Sequence, residues 1–229
     1  VFLLHGFPSD SLTSWIEPGT TQTLAGAGRE VFAVDLRGHG LSDKPHDPGF
    51  YGETRMSADL GELWDSLALE QVDLVGHSMG AVVALIAAAS DHRIRRLVLS
   101  GIGRYQLDYD GGPLPHFDST GFADALSADD PSAITDPELR EFREEVDDSG
   151  NDRHALAAHL KVIHTDPFAF ADITAPTLVI AGEDDTISPQ PALLAKAIPN
   201  GQSLTLPGDH PGTKFTPAFI NAVTAFLNQ

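Results

Sequence analysis

The chain contains no cysteine. That excludes a disulfide framework, a thiolate metal site and a cysteine nucleophile. Positive charge is scarce: 14 Lys and Arg stand against 33 Asp and Glu, for a formal net charge of −19. A field of that sign repels phosphate backbones and anionic lipid, so neither nucleic acid nor a membrane surface is an expected partner. Its plain effect is to keep the chain in solution. No apolar run reaches the ~18 residues of a membrane span. No charged-then-apolar secretory leader opens the sequence, and with the lack of cysteine this points to a cytoplasmic protein. No Gly-Lys pair precedes Ser or Thr, so there is no phosphate loop. "AGAGRE" at 25–30 looks like a dinucleotide fingerprint, but it precedes a strand pattern and lacks the third glycine. His154, His159 and His164 are spaced by five, and five residues carry a helix roughly 140° past a full turn. They share no face, so no metal is expected there, and no cofactor anywhere.

What is present suits one α/β domain: 229 residues, 41% of them hydrophobic, are enough for a real core. Short apolar runs predict strands at 1–4, 31–35, 72–76, 96–100, 177–181 and 202–206. Most lack polar alternation, as expected of strands buried on both faces of a parallel sheet. Helical patterns fall between them at 24–28, 57–67, 79–90 and 189–197, with a last one at 216–228. Strand and helix in alternation mean a doubly wound, mostly parallel α/β sheet with helices on both faces. The rhythm breaks at 104–166. "LDYDGGPLPHFDSTG" is turn-rich, then 136–146 and 152–164 read as polar-faced helices. This region is expected to be a helical cap inserted into a core of residues 1–103 and 167–229. Its acidic helix, "DPELREFREEVDD", reads as a solvated face.

The most informative stretch is "VDLVGHSMGAVVALIAAAS" at 72–90. Gly76-His77-Ser78-Met79-Gly80 joins a strand to an Ala-rich helix, the pattern of a nucleophile elbow. So tight a turn strains the serine backbone and leaves no room for side chains at the glycines. Ser78 is then at the carboxyl end of the sheet and at a helix N-terminus, where developing negative charge is favoured. Ala81 and Ala84 allow close packing of the helix on the sheet. A serine hydroxyl needs a base to take its proton. "LVIAGEDDTISP" and "LTLPGDHPGT" each follow a strand and supply Asp184 or Asp185, then His210. The residues alone do not choose between the two aspartates.

"HGFP" at 5–8, "VDLRGHGLSDKP" at 34–45, "GHSMG", "GEDDTISP" and "GDH" together resemble the α/β-hydrolase superfamily, in its esterase/lipase and haloperoxidase-like branch. The resemblance spans nearly the whole chain, loosely at 104–166. It implies Ser78 as nucleophile, Asp185 as the acid framed by Gly182 and Pro189, and His210 as base. It implies an oxyanion hole from the backbone N–H groups of Phe7 and Met79. The dehalogenase and epoxide-hydrolase branches share "DLRGHGLSDKP" but need a carboxylate where Ser78 stands. His5 and His39 are expected to shape loops, and His77 to point away from the nucleophile. One departure concerns the front: the hairpin that precedes the "HG" loop in the family is missing, which leaves 31–34 as an expected open edge. The implied activity is hydrolysis of a small carboxylic ester through an acyl-enzyme. The same triad also serves lactonases, carbon–carbon bond hydrolases and cofactor-free haloperoxidases or perhydrolases. Some relatives act as small-molecule receptors with vestigial hydrolysis.

Overall fold

The computed structural model describes residues 1–107, 117–163 and 166–229. Among them six strands form one sheet: β1 (Phe2–Leu4), β2 (Phe32–Val34), β3 (Val72–His77), β4 (Ile94–Ser100), β5 (Thr177–Gly182) and β6 (Gly201–Leu206). Their spatial order is β2-β1-β3-β4-β5-β6, and every pair is parallel. The expected doubly wound α/β sheet is therefore present. The strand order reverses between β1 and β3. Chains leaving those two strands diverge, which opens a crevice at their carboxyl ends.

Strand residues alternate between the faces, and each face is covered. Phe2, Leu4 and Leu74 join the cluster under α2 (Glu53–Ser66), α3 (Met79–Ser90) and α7 (Pro191–Ala197). Leu3, Val75 and Val98 join the cluster under α1 (Thr20–Gly26) and α8 (Pro217–Leu227). Because both faces are buried, β1, β3 and β5 carry no polar alternation. Ala81 and Ala84 on α3 are fully buried, so small side chains let this helix lie close to the sheet. Among the described residues β2 pairs only with β1, and all three of its residues are part-exposed; it lies at an edge of the sheet, the position expected of 31–34.

Between β4 and β5 lie α4 (Ser119–Ser127), α5 (Pro137–Ser149) and α6 (Arg153–Leu160). They share a small apolar cluster, including Leu126, Val146 and Leu156, onto which Phe7 packs. α4 is absent from the sequence expectation. So is the π-helical turn Leu12–Ile16. α1 starts before the helix expected at 24–28, and α6 ends at Leu160, short of 164. His164 and most of the "LDYDGGPLPHFDSTG" stretch lie outside the described residues. No helix among the described residues is long and apolar enough to cross a membrane.

Candidate active site

The turn after β3 has the strain that its glycines announce. Ser78 has φ 53° and ψ −119°, outside the regions an L-residue prefers. Its N–H donates to Ser100 O (2.8 Å), and its carbonyl accepts from Ala81 N–H (2.9 Å), which holds the turn. A Cβ at Gly76 would strike the Gly80 carbonyl, and a Cβ at Gly80 would lie 2.5 Å from the carbonyl oxygens of Leu4 and His5. The elbow and the loop after β1 therefore press directly on one another.

Ser78 Oγ lies 2.9 Å from His210 Nε2. His210 Nδ1 lies 3.0 Å from Asp185 Oδ2 and 3.2 Å from Oδ1. Nδ1 therefore carries the proton toward the carboxylate, and Nε2 is free to accept from the serine hydroxyl. Asp185 is fixed in turn by the N–H groups of Ile187 (3.0 Å) and Ser188 (2.9 Å). Burial works against its charge, but the His210 hydrogen bond and the Ser188 donors outweigh it, so its carboxyl stays below the ordinary range. Asp184 is exposed; its N–H instead ties to Gly208 O (3.1 Å), joining the loops after β5 and β6. Of the two aspartates, Asp185 is the one that hydrogen-bonds His210.

Phe7 and Met79 flank the serine. Met79 opens α3, where backbone N–H groups lack helical partners. Among the described residues, neither its N–H nor that of Phe7 donates a hydrogen bond. His5 holds the loop before Phe7: its Nε2 accepts from Leu36 N–H (3.0 Å), and its Nδ1–H donates to Gly6 O (3.0 Å). Asp35 accepts from the N–H groups of Ser11 (2.8 Å) and Leu41 (2.7 Å), so the loop after β2 is knotted to the segment after β1. His39 is fully buried and bonds Arg37 O through Nδ1 (3.0 Å).

Residues 1–133 match the sequence model of the alpha/beta hydrolase fold. The chain belongs to the α/β-hydrolase family. It is 30% identical over 204 residues to a 2-hydroxy-6-oxo-2,4-heptadienoate hydrolase of Pseudomonas putida, covering 82% of this chain and 73% of that protein. It is 40% identical over 84 residues to Epoxide hydrolase 3 of Siraitia grosvenorii, 37% of this chain and only 26% of that relative's length. The crystal structure of a hydrolase from Pseudomonas aeruginosa PA01 matches at a TM-score of 0.67 and 29% identity, covering 100% of this chain and 90% of that one.

In this α/β-hydrolase, Ser78 and His210 open onto a cavity of about 300 Å³ with a mainly apolar wall, Met79, Val82, Ile102, Leu160 and Phe168 among it. Ser188, Gly101 and Glu53 drew no reading from the sequence. Ser188 Oγ lies 3.3 Å from His210 Nδ1. His77 packs beneath His210 with ring centroids 5.2 Å apart, and its Nδ1 is 3.3 Å from Ser100 Oγ. Burial first, then the nearby Lys214 charge, pushes His77 well below the usual imidazole range. Gly101 makes this tilted ring contact possible: it has φ +68°, and a Cβ there would lie 2.9 Å from the His77 ring. Glu53 and His159 also line the cavity, from α2 and α6. His154, on the same helix as His159, is exposed and faces His46 instead. Among the described residues, no three His, Asp or Glu side chains converge as a metal site.

Proposed function

We propose that this chain is a serine hydrolase that cleaves small, neutral carboxylic esters through an acyl-enzyme. The observation that carries the reading is the relay itself: hydroxyl, imidazole and carboxylate linked at 2.9 and 3.0 Å beside an apolar cavity. His210 takes the proton from Ser78 as Ser78 Oγ attacks the ester carbonyl. Asp185 holds the imidazole in the required tautomer and stabilises its charged form. The N–H groups of Phe7 and Met79 receive the oxyanion. His210 returns the proton to the departing alcohol. It then accepts a proton from water, which attacks the acyl carbon and frees Ser78. The helices α4, α5 and α6, inserted between β4 and β5, act as a cap that shapes the cavity over the core. The lack of cysteine supports a cytoplasmic setting.

The similarity to the Pseudomonas putida enzyme favours a second reading, carbon–carbon bond hydrolysis of a dienoate. A dienoate is an anion. None of the described residues lining the cavity is Lys or Arg, and none occurs in the sequence at 108–116 or 164–165. A cavity that includes Glu53, in a protein of net charge −19, is a poor host for a second carboxylate. A serine also disfavours epoxide hydrolysis. Its attack on an epoxide carbon would leave an ether, which water does not cleave under mild conditions, whereas a carboxylate would leave a hydrolysable ester. Initial rates on ethyl butyrate, γ-butyrolactone, a peracid-forming mixture of acetate and peroxide, and a 2-hydroxy-6-oxodienoate test the reading. Fastest turnover on the neutral ester is expected. Preference for the dienoate would establish the second reading, and binding of esters without turnover would mark a receptor.

A further inference from the structure

The cavity beside Ser78 holds a second carboxylate–imidazole pair that the relay does not use. His159 Nε2 lies 3.3 Å from Glu53 Oε1, with side chains 2% and 8% exposed. The pair joins α2 to α6 across the cavity wall. The faces and edges of the His159 ring are largely covered. Tyr51 stacks on it at 5.8 Å and 14°. Phe7 meets it edge-on at 5.7 Å and His39 at 6.0 Å. Nε2 is turned to Glu53. What remains is Nδ1, which is buried and has no hydrogen-bond partner among the described residues.

A tie between two helices accounts for Nε2. It does not account for Nδ1, because a buried polar nitrogen with no partner carries a desolvation penalty that native proteins seldom accept. An apolar side chain would join the helices without that cost. With Nε2–H donating to Glu53, a neutral ring presents a lone pair at Nδ1, which accepts and does not donate. We propose that Glu53 and His159 form a substrate-recognition subsite in which His159 Nδ1 accepts a hydrogen bond from a hydroxyl group of the ester. The substrate class is then a hydroxy ester, apolar along most of its length, with one hydroxyl on the acyl or alcohol portion. This rests on the serine-hydrolase reading for its chemistry, though not for its binding. Glu53 is a positioning residue here: it fixes the tautomer of the histidine that touches the ligand.

The test compares kcat/KM for matched esters in the wild-type protein: ethyl butyrate with ethyl 3-hydroxybutyrate and ethyl 3-methoxybutyrate, then butyl acetate with 4-hydroxybutyl and 4-methoxybutyl acetate. In one of the two series the hydroxyl ester is expected to exceed the plain ester by about tenfold, and the methoxy ester to show no such gain, since an ether oxygen has no proton to give. In His159→Leu that ratio falls to about one, and in His159→Asn, whose amide oxygen is again an acceptor, part of it returns. A ratio does not depend on the fraction folded, so a merely structural role would leave it unmoved. Binding is read separately from 15N-histidine-labelled protein: butane-1,3-diol should shift the His159 Nδ1 resonance, and 1,3-dimethoxybutane, which has no O–H to give, should not. If no ester is turned over, the hydrolase reading fails and the resonance still decides the subsite. Equal rates for hydroxyl and plain esters in both series, a methoxy gain equal to the hydroxyl gain, or a resonance indifferent to the diol would each overturn the proposal.

Discussion

Asp185–His210 and Glu53–His159 are both carboxylate–imidazole pairs on the same cavity, yet they are made of different material. The first sits on loops that leave adjacent strands. Its aspartate is held by two backbone N–H groups, and its imidazole is engaged at both nitrogens and 16% exposed. The second sits on two helices, 106 residues apart in sequence, with the imidazole nearly closed off and one nitrogen unpartnered. A pair on short loops at the end of a parallel sheet is positioned by backbone, and backbone demands glycine and aspartate at fixed offsets. A pair on helix faces is positioned by how the helices pack, and packing leaves no fixed spelling.

The sharpest way to separate the two pairs is to remove what only one of them serves. Ser78→Ala should lower kcat by about 10⁴–10⁶ while leaving the melting temperature close to wild type. A loss below about a hundredfold would mean that the hydrolytic centre lies elsewhere, with the other pair the first suspect.

A smaller effect tests the carboxylate. Asp185→Asn should cost about 10³–10⁴ in kcat, because an amide cannot hold His210 in the same tautomer or balance its charge. Asp184→Asn, on an exposed neighbour, should cost far less. The reverse order, read by kinetics at matched folded fraction, would break the assignment of the loop.

The elbow's dependence on backbone can be tested by crowding it. Gly80→Ala places a methyl group 2.5 Å from two carbonyl oxygens and should cost several kcal/mol of stability, on the order of other overpacked sites. Gly26→Ala, in α1 with open space around it, should instead gain up to about 1 kcal/mol. Denaturant melts of both variants decide this, and equal stabilities would show that the turn has slack.

The smallest effect is one of pH. His5, His39 and His77 are all held below the ordinary imidazole range, in each case mainly by burial. Unfolded histidine takes up a proton near pH 6.5, and these folded ones resist it. Stability is therefore complete above about pH 6.5 and falls as pH drops below it, by at most about 1.4 kcal/mol per pH unit for each histidine. Asp185 works in the same direction but only at lower pH: its depressed pKa makes a contribution that is lost below about pH 4. Melting temperatures at pH 7.5, 6.5 and 5.5 should fall in the last interval. A flat profile would mean that the buried rings charge freely.

The same contrast explains what the sequence discloses. The apolar runs of β3 and β5 stand out because both faces of those strands are covered, and "GHSMG" stands out because steric exclusion at Gly76 and Gly80 leaves no alternative residue. Asp185 follows from a turn in which its carboxylate must accept from residues two and three places on. α4 escapes notice because "STGFADALS" is short and starts with weak helix formers, although Asp118, whose carboxylate caps Gly121 N–H at 2.9 Å, is a start signal that could have been read. The π-helical turn at Leu12–Ile16 follows no repeat that a periodicity search detects. Glu53 resembles any acidic residue in a first helical turn, and His159 any histidine near a helix end. Only the tertiary packing of α2 against the region of α6 makes them a pair.

Reaction with a fluorophosphonate followed by peptide mass mapping asks whether Ser78 is the nucleophile, because the probe needs no knowledge of the natural ester. It attaches to a serine only where a base, an oxyanion site and an open cavity converge. A single adduct on Ser78 is expected, formed in the wild-type protein and lost in His210→Ala. An adduct on any other serine, or none in folded protein, would contradict it.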